Sequence, residues 1–144
     1  MIEQDTIRLL RECDAGVRMG VDSIDDVLGH VKHERMQQIL QRSRDSHERL
    51  GREIQQHLQR FEDNGKAPNP IAKTMSRMKT AMSMMMHDDD ATVASLMIDG
   101  CNMGVKSLSM YLNQYGAADE LSKDIVKGLI RLEEQLAVDL REFL

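Results

Sequence analysis

Apolar side chains recur at three- and four-residue spacing along almost the whole chain, a period that gathers them on one face of an α-helix. A first helix is predicted from about Glu3 to Leu28, its stripe reading Ile7, Leu10, Asp14, Val17, Val21, Ile24 and Leu28. A second is predicted from about Lys32 to Phe61, with Met36, Leu40, Ser43, His47, Leu50, Ile54, His57 and Phe61 in phase. Gly29 and its neighbours leave room only for a short turn, so these two helices are expected to be antiparallel neighbours.

The only two prolines, Pro68 and Pro70, fall together in Asn64-Gly65-Lys66-Ala67-Pro68-Asn69-Pro70, the one clear break in the pattern. After it a shorter helix is expected over about Ile71 to Met86, with the stripe Ile71, Met75, Met78, Met82 and Met85 turned onto the body. His87-Asp88-Asp89-Asp90 supplies N-caps for a third long helix, about Ala91 to Tyr115, which Gly116 is expected to end. A fourth follows from about Ala118, with Val126, Leu129, Glu133, Leu136, Leu140 and Phe143 on one side. Four long amphipathic helices bury their stripes most simply against one another. The expected fold is all-α: one domain over 1–144, an antiparallel four-helix bundle with an extra short helix in the connection between the second and third long helices. That connection is long enough for an up-down path or for a crossover.

Composition narrows the function classes. The 24 acidic against 19 basic residues give a net charge of −5, and the basic patch Arg42, Arg44, Arg49, Arg52 is interleaved with Asp45, Glu48 and Glu53. No nucleic-acid partner is expected from such a surface. No apolar run approaches a membrane span, and no basic segment followed by an apolar core opens the chain, so neither membrane nor secretory signal is expected. Two cysteines are too few for a disulfide framework, and a cytoplasmic location with reduced thiols is the expectation.

Three ionisable residues sit inside the apolar arcs: Asp14, His47 and Glu133, each about halfway along its helix, with Cys101 and Asn102 at the same depth of the third long helix. A lone buried carboxylate is costly and takes a partner. The simplest pairing joins Asp14 to His47. If all three converge they form a candidate metal site, with Cys101 and Asn102 around it and Fe, Mn or Zn as the ions such ligands hold. The other reading is a satisfied polar network that fixes helix register, with no cofactor. Gly16 and Gly20, and Gly100 and Gly104, sit one turn apart and point to close helix approach.

The opening hairpin, from Leu9-Leu10-Arg11-Glu12-Cys13-Asp14-Ala15-Gly16 to Ser46-His47-Glu48-Arg49, resembles small bacterial ferritin-like domains of unassigned function, and the whole chain resembles the ferritin-like fold in architecture. Di-iron members carry a Glu on two helices and Glu-x-x-His on the other two. No Glu-x-x-His occurs here: Glu133 is followed by Leu136 and Glu48 by Gly51. Asp14 and Glu133 match carboxylate positions, and His47 stands in for the missing imidazole. The resemblance therefore implies a bundle without an intact di-iron site and no ferroxidase activity.

Other motifs read as structural. His30 and His33, with Glu34 adjacent, could place two imidazoles on one helix face but fall at the first turn; His57 reads as a partly buried amphipathic residue; Asp88 to Asp90 read as caps. Of 12 methionines, six lie between Met75 and Met86, flexible side chains that fill gaps or line adaptable binding surfaces. The expected function is a non-catalytic interaction or scaffold protein, self-associating or binding a protein partner. The alternative is a metal-binding bundle.

Overall fold

The computed structural model describes residues 2–144, except for the side chains of Ile71 and Thr74, so Ile71's place in the predicted stripe lies outside the described residues. Five α-helices account for most of the chain: α1 (Ile2–Leu28), α2 (Glu34–Gln59), α3 (Pro70–Met86), α4 (Asp90–Gln114) and α5 (Glu120–Leu140). A 3-10 turn over Arg141–Phe143 follows, and the described residues contain no strand. The all-α expectation is met, with helix ends within two residues of those predicted except at the C-terminus, where α5 stops at Leu140 and a 3-10 turn takes over instead of α-helix continuing to the end.

Side-chain caps start three of the helices, as short polar side chains do where the first backbone N–H groups lack partners. His33 Nδ1 accepts from Arg35 N, Asp89 from Thr92 N, and Asp119 from Ser122 N. The third long helix stops one residue short of Tyr115, with Gly116 just beyond its cap, and Tyr115 N closes the last turn on Tyr111 O. Left-handed backbone occurs at Glu62 (φ 55°) and Gly65 (φ 87°), both in the segment that leaves α2.

α1 packs against α2 and α4, and α5 packs against α4 and α2. Pairs between α1 and α2 run Arg44 with Asp25, His47 with Gly20, Gly51 with Val17 and Gln55 with Asp14. Between α2 and α5 they run Arg35 with Glu142, just past the end of α5, and His47 with Glu133. At one end, Asp90 accepts from the backbone N–H of Lys32 and His33; at the other, Asp5 accepts from Ala117 N and Thr6 from Asp119 N. α3 lies along α1 through Lys73–Asp22 and Arg77–Asp26.

The buried apolar residues form two clusters, not one. Ile24, Val27, Met36, Leu40, Val93 and Leu140 belong to the first, and Leu9, Leu10, Ile54, Leu58, Val126 and Leu129 to the second. Between them the chain places His47 and Glu133.

The connecting helix α3 corrects an expectation. Its stripe was predicted to face the body, yet Met75 (65%), Met78 (58%), Met82 (62%), Met85 (87%) and Met86 (74%) are exposed. Met84 alone of this run enters the core, on the face shared with the ion-paired Lys73 and Arg77. The reason lies in α1: Asp22 and Asp26, one turn apart, attract the cationic side of α3, and its apolar side is left outward.

Candidate functional site

His47, 1% exposed, is pinned at both ring nitrogens. Nδ1 lies 2.7 Å from the Ser43 carbonyl oxygen, an acceptor only, so Nδ1 carries a hydrogen and donates it. Nε2 lies 2.9 Å from Glu133 Oε1. One proton between Nε2 and the facing carboxylate oxygen satisfies the hydrogen bond from both sides. No buried side-chain nitrogen or oxygen among the described residues lacks a partner, which is what a buried pair needs if it is not to destabilise the fold.

Two glycines make the space. A Cβ on Gly20 of α1 would come within 2.8 Å of the His47 ring, and one on Gly104 of α4 within 3.3 Å of Glu133 Oε2. All four long helices thus meet at one level, α1 and α4 by giving up side chains and α2 and α5 by supplying the pair. Gly100, in contrast, faces open space and Gly16 makes only ordinary contact, so one glycine of each predicted couple performs the close approach.

Asp14 belongs to a different network, which corrects the expected Asp14–His47 pairing. Its carboxylate accepts from Gln55 Nε2 (2.9 Å) and Lys66 N (3.0 Å) and pairs with Arg18 (3.1 Å). The cause is axial stagger. Gly20 lies eight residues before the end of α1, whereas His47 lies thirteen after the start of α2. The extended link before α2 carries the chain onward by about five residues, or ~8 Å, before α2 begins. Equal depth counted from the turn therefore is not equal level. Asp14 instead anchors the segment after α2. Gly65 crosses close to its carboxylate, and Lys66–Glu12 and Arg11–Asp63 hold that segment from either side.

Cys101 does lie beside Glu133. Burial pushes its thiol well above the ordinary value near 9, helped by the charge of Glu133 and a hydrogen bond to it. Cys13 is raised likewise, by burial and then by Asp14. Asn102 is exposed; one residue beyond Cys101 is 100° round the helix, and the expected role beside the pair is corrected accordingly. Among the described residues no three His, Cys, Asp or Glu side chains converge as a metal site.

The remaining candidates have structural partners. His30 Nδ1 is 3.0 Å from Asp88, and His33 caps α2 with its ring centroid 5.2 Å from that of Phe143, so the two imidazoles precede the helix and do not share a face of it. His57 is half-buried, as expected. Two open surface depressions, of about 300 and 380 Å³, are lined by other residues and do not reach the His47–Glu133 pair.

The thiols give a prediction. Because the folded chain keeps Cys13 and Cys101 protonated beyond the pH at which unfolded thiols ionise, their contribution to stability is full below about pH 9 and falls as pH rises above it. Urea midpoints should drop between pH 8 and pH 10 more in the parent than in a Cys13→Ala/Cys101→Ala variant; equal drops would show that the thiols are not responsible. Iodoacetamide should label neither thiol in the native state.

Ser43 as the second anchor of His47, and Gln55 with Lys66 as the clamp on Asp14, were not foreseen. Ser43 stood in the stripe one turn before His47, a signal available in the sequence. The backbone N–H of Lys66 left none. No helix among the described residues is long and apolar enough to cross a membrane. The chain matches no protein-family model, and neither the curated proteins nor the solved structures give a significant match.

Proposed function

We propose that this chain is a non-catalytic ferritin-like bundle, an interaction or scaffold protein that works through the outward methionine face of α3. In this reading α1, α2, α4 and α5 form an antiparallel four-helix bundle. The α1–α2 pairs support it, since rising numbers in one helix meet falling numbers in the other: 14 with 55, 17 with 51, 20 with 47, 25 with 44. The ion pairs Arg35–Glu142 and His47–Glu133 set α2 and α5 antiparallel in the same way. α2 and α4 both begin at the Asp90 end, so they run parallel, and α3 returns the chain along α1. One long crossover of this kind is a ferritin-like trait.

The observation that carries the functional reading is the exposed stripe Met75, Met78, Met82 and Met85. Apolar area held out of a core by ion pairs on the opposite side of its helix is a surface for something else. Methionine suits such a surface because it adapts to its partner's shape. A catalytic reading lacks an opening: the mid-level pair is closed over and fully bonded. The metal-binding alternative on Asp14, His47 and Glu133 lacks its third ligand, because Asp14 is held by Gln55, Arg18 and Lys66.

The test places a photo-crosslinking amino acid at Met78 or Met82, and at the exposed Arg52 and Lys127 as controls, in living cells. Protein adducts are expected from the α3 positions and not from the controls. Adducts from neither, or equally from both, would overturn the reading.

A further inference from the structure

The sulfur of this chain is unevenly placed. Cys13 and Cys101 are buried, and burial holds both thiols above their ordinary range, so neither presents the thiolate that oxidants attack. The thioethers are distributed the other way. Of the seven exposed methionines among the described residues, Met75, Met78, Met82, Met85 and Met86 lie on α3, and Met103 and Met110 stand on α4.

α3 divides its own sulfur by face. At 100° per residue Lys73, Arg77 and Met84 fall within about 40° of one another. This is the side that meets Asp22 and Asp26 of α1 and sends Met84 into the core. The five exposed methionines occupy the opposite side, within about 100° of arc. The contacts that fasten α3 are therefore out of reach of chemistry on its outer face.

We infer that the outer face of α3 is a reversible oxidation site for hydroperoxides, where Met75, Met78, Met82, Met85 and Met86 become sulfoxides while the fold beneath is unchanged. In the forward step a sulfur lone pair attacks one peroxide oxygen. An S–O bond forms, the O–O bond breaks, and the second oxygen takes the hydroperoxide proton and departs as an alcohol, or as water from hydrogen peroxide. Sulfur loses two electrons and the peroxide gains them. A thiol-dependent methionine sulfoxide reductase reverses the step: two thiols become a disulfide, and the oxygen leaves as water. Each sulfoxide exchanges an apolar side chain for a polar one, so the apolar face is removed without unfolding its helix. This rests on reading α3 as the working surface and supplies its regulation.

Hydrogen peroxide is the probe, applied to the folded chain and read by peptide mass spectrometry. The five α3 methionines should gain oxygen first, with Met36, Met84 and Met97 slower by about tenfold or more, because these react only when the core opens. Oxidised chain should keep its helicity and urea midpoint and elute earlier from a hydrophobic-interaction column. Reductases for both sulfoxide epimers should restore its retention. A variant with the five α3 methionines changed to leucine keeps an apolar, helix-forming face. Its retention should move under peroxide only by the small share that Met103 and Met110 contribute. Met84 oxidising as fast as Met82, or an equal loss of retention in the leucine variant, overturns the site. The two readings fail separately: sulfoxides that form and reverse on an α3 that gives no cross-links in cells keep the oxidation site and remove the interaction surface.

Discussion

Replacing Glu133 with leucine is expected to cost about 3–5 kcal/mol of stability, because it leaves His47 buried with its Nε2 unanswered. His47→Leu should cost a similar amount from the other side, stranding a carboxylate that is only 8% exposed. The double variant His47→Leu/Glu133→Leu should recover most of either loss, since two apolar side chains of comparable size fit a site flanked by apolar clusters at both ends. The measurement is a double-mutant cycle by urea denaturation. Single losses below about 1 kcal/mol would mean that the pair is open to water and that the level between the clusters is not what the geometry describes.

The second large effect turns on a hydrogen-sized difference. Gly20→Ala puts a methyl 2.8 Å from an imidazole ring that cannot retreat, held as it is by Ser43 on one side and Glu133 on the other. Overpacking of this kind costs about 1–3 kcal/mol, and it must first cancel the gain of up to about 1 kcal/mol that alanine brings to a helix interior. Gly100→Ala meets nothing within 4 Å and should show that gain undiluted, stabilising by about 0.5–1 kcal/mol. Opposite signs for one chemical change in two helices are the expected outcome of thermal melts. A stabilised Gly20→Ala would place α1 further from His47 than described.

How far the sequence went can be read residue by residue. Helix positions were legible because period and punctuation agree: stripes of three and four, one proline-bearing break, aspartates before α4 and α5. The burial of His47, Glu133 and Asp14 was legible for the same reason, since each sits in an apolar arc. Which of them meet was not legible, because level across a hairpin depends on the rise of the connecting link, and an extended link of a few residues moves the register by more than a turn. The orientation of α3 was hidden by a competition that periodicity does not weigh: methionine burial on one side against two aspartates of α1 on the other. Those aspartates belong to α1's own half-exposed face, and nothing in their local spacing names α3 as their partner.

The His47–Glu133 contact joins residues 86 apart in the chain, whereas the α1–α2 and α4–α5 interfaces each join helices separated only by a short link, residues 29–33 and 115–119. Chain closure over so long a separation carries an entropic cost that those short links do not bear, so the contact is expected to form late in assembly, after the α1–α2 and α4–α5 interfaces. Interactions made after the rate-limiting barrier hold the finished structure together without hastening its arrival. The polar link between α2 and α5 is therefore expected to act chiefly as a brake on unfolding, setting the lifetime of the folded chain more than the speed at which it forms.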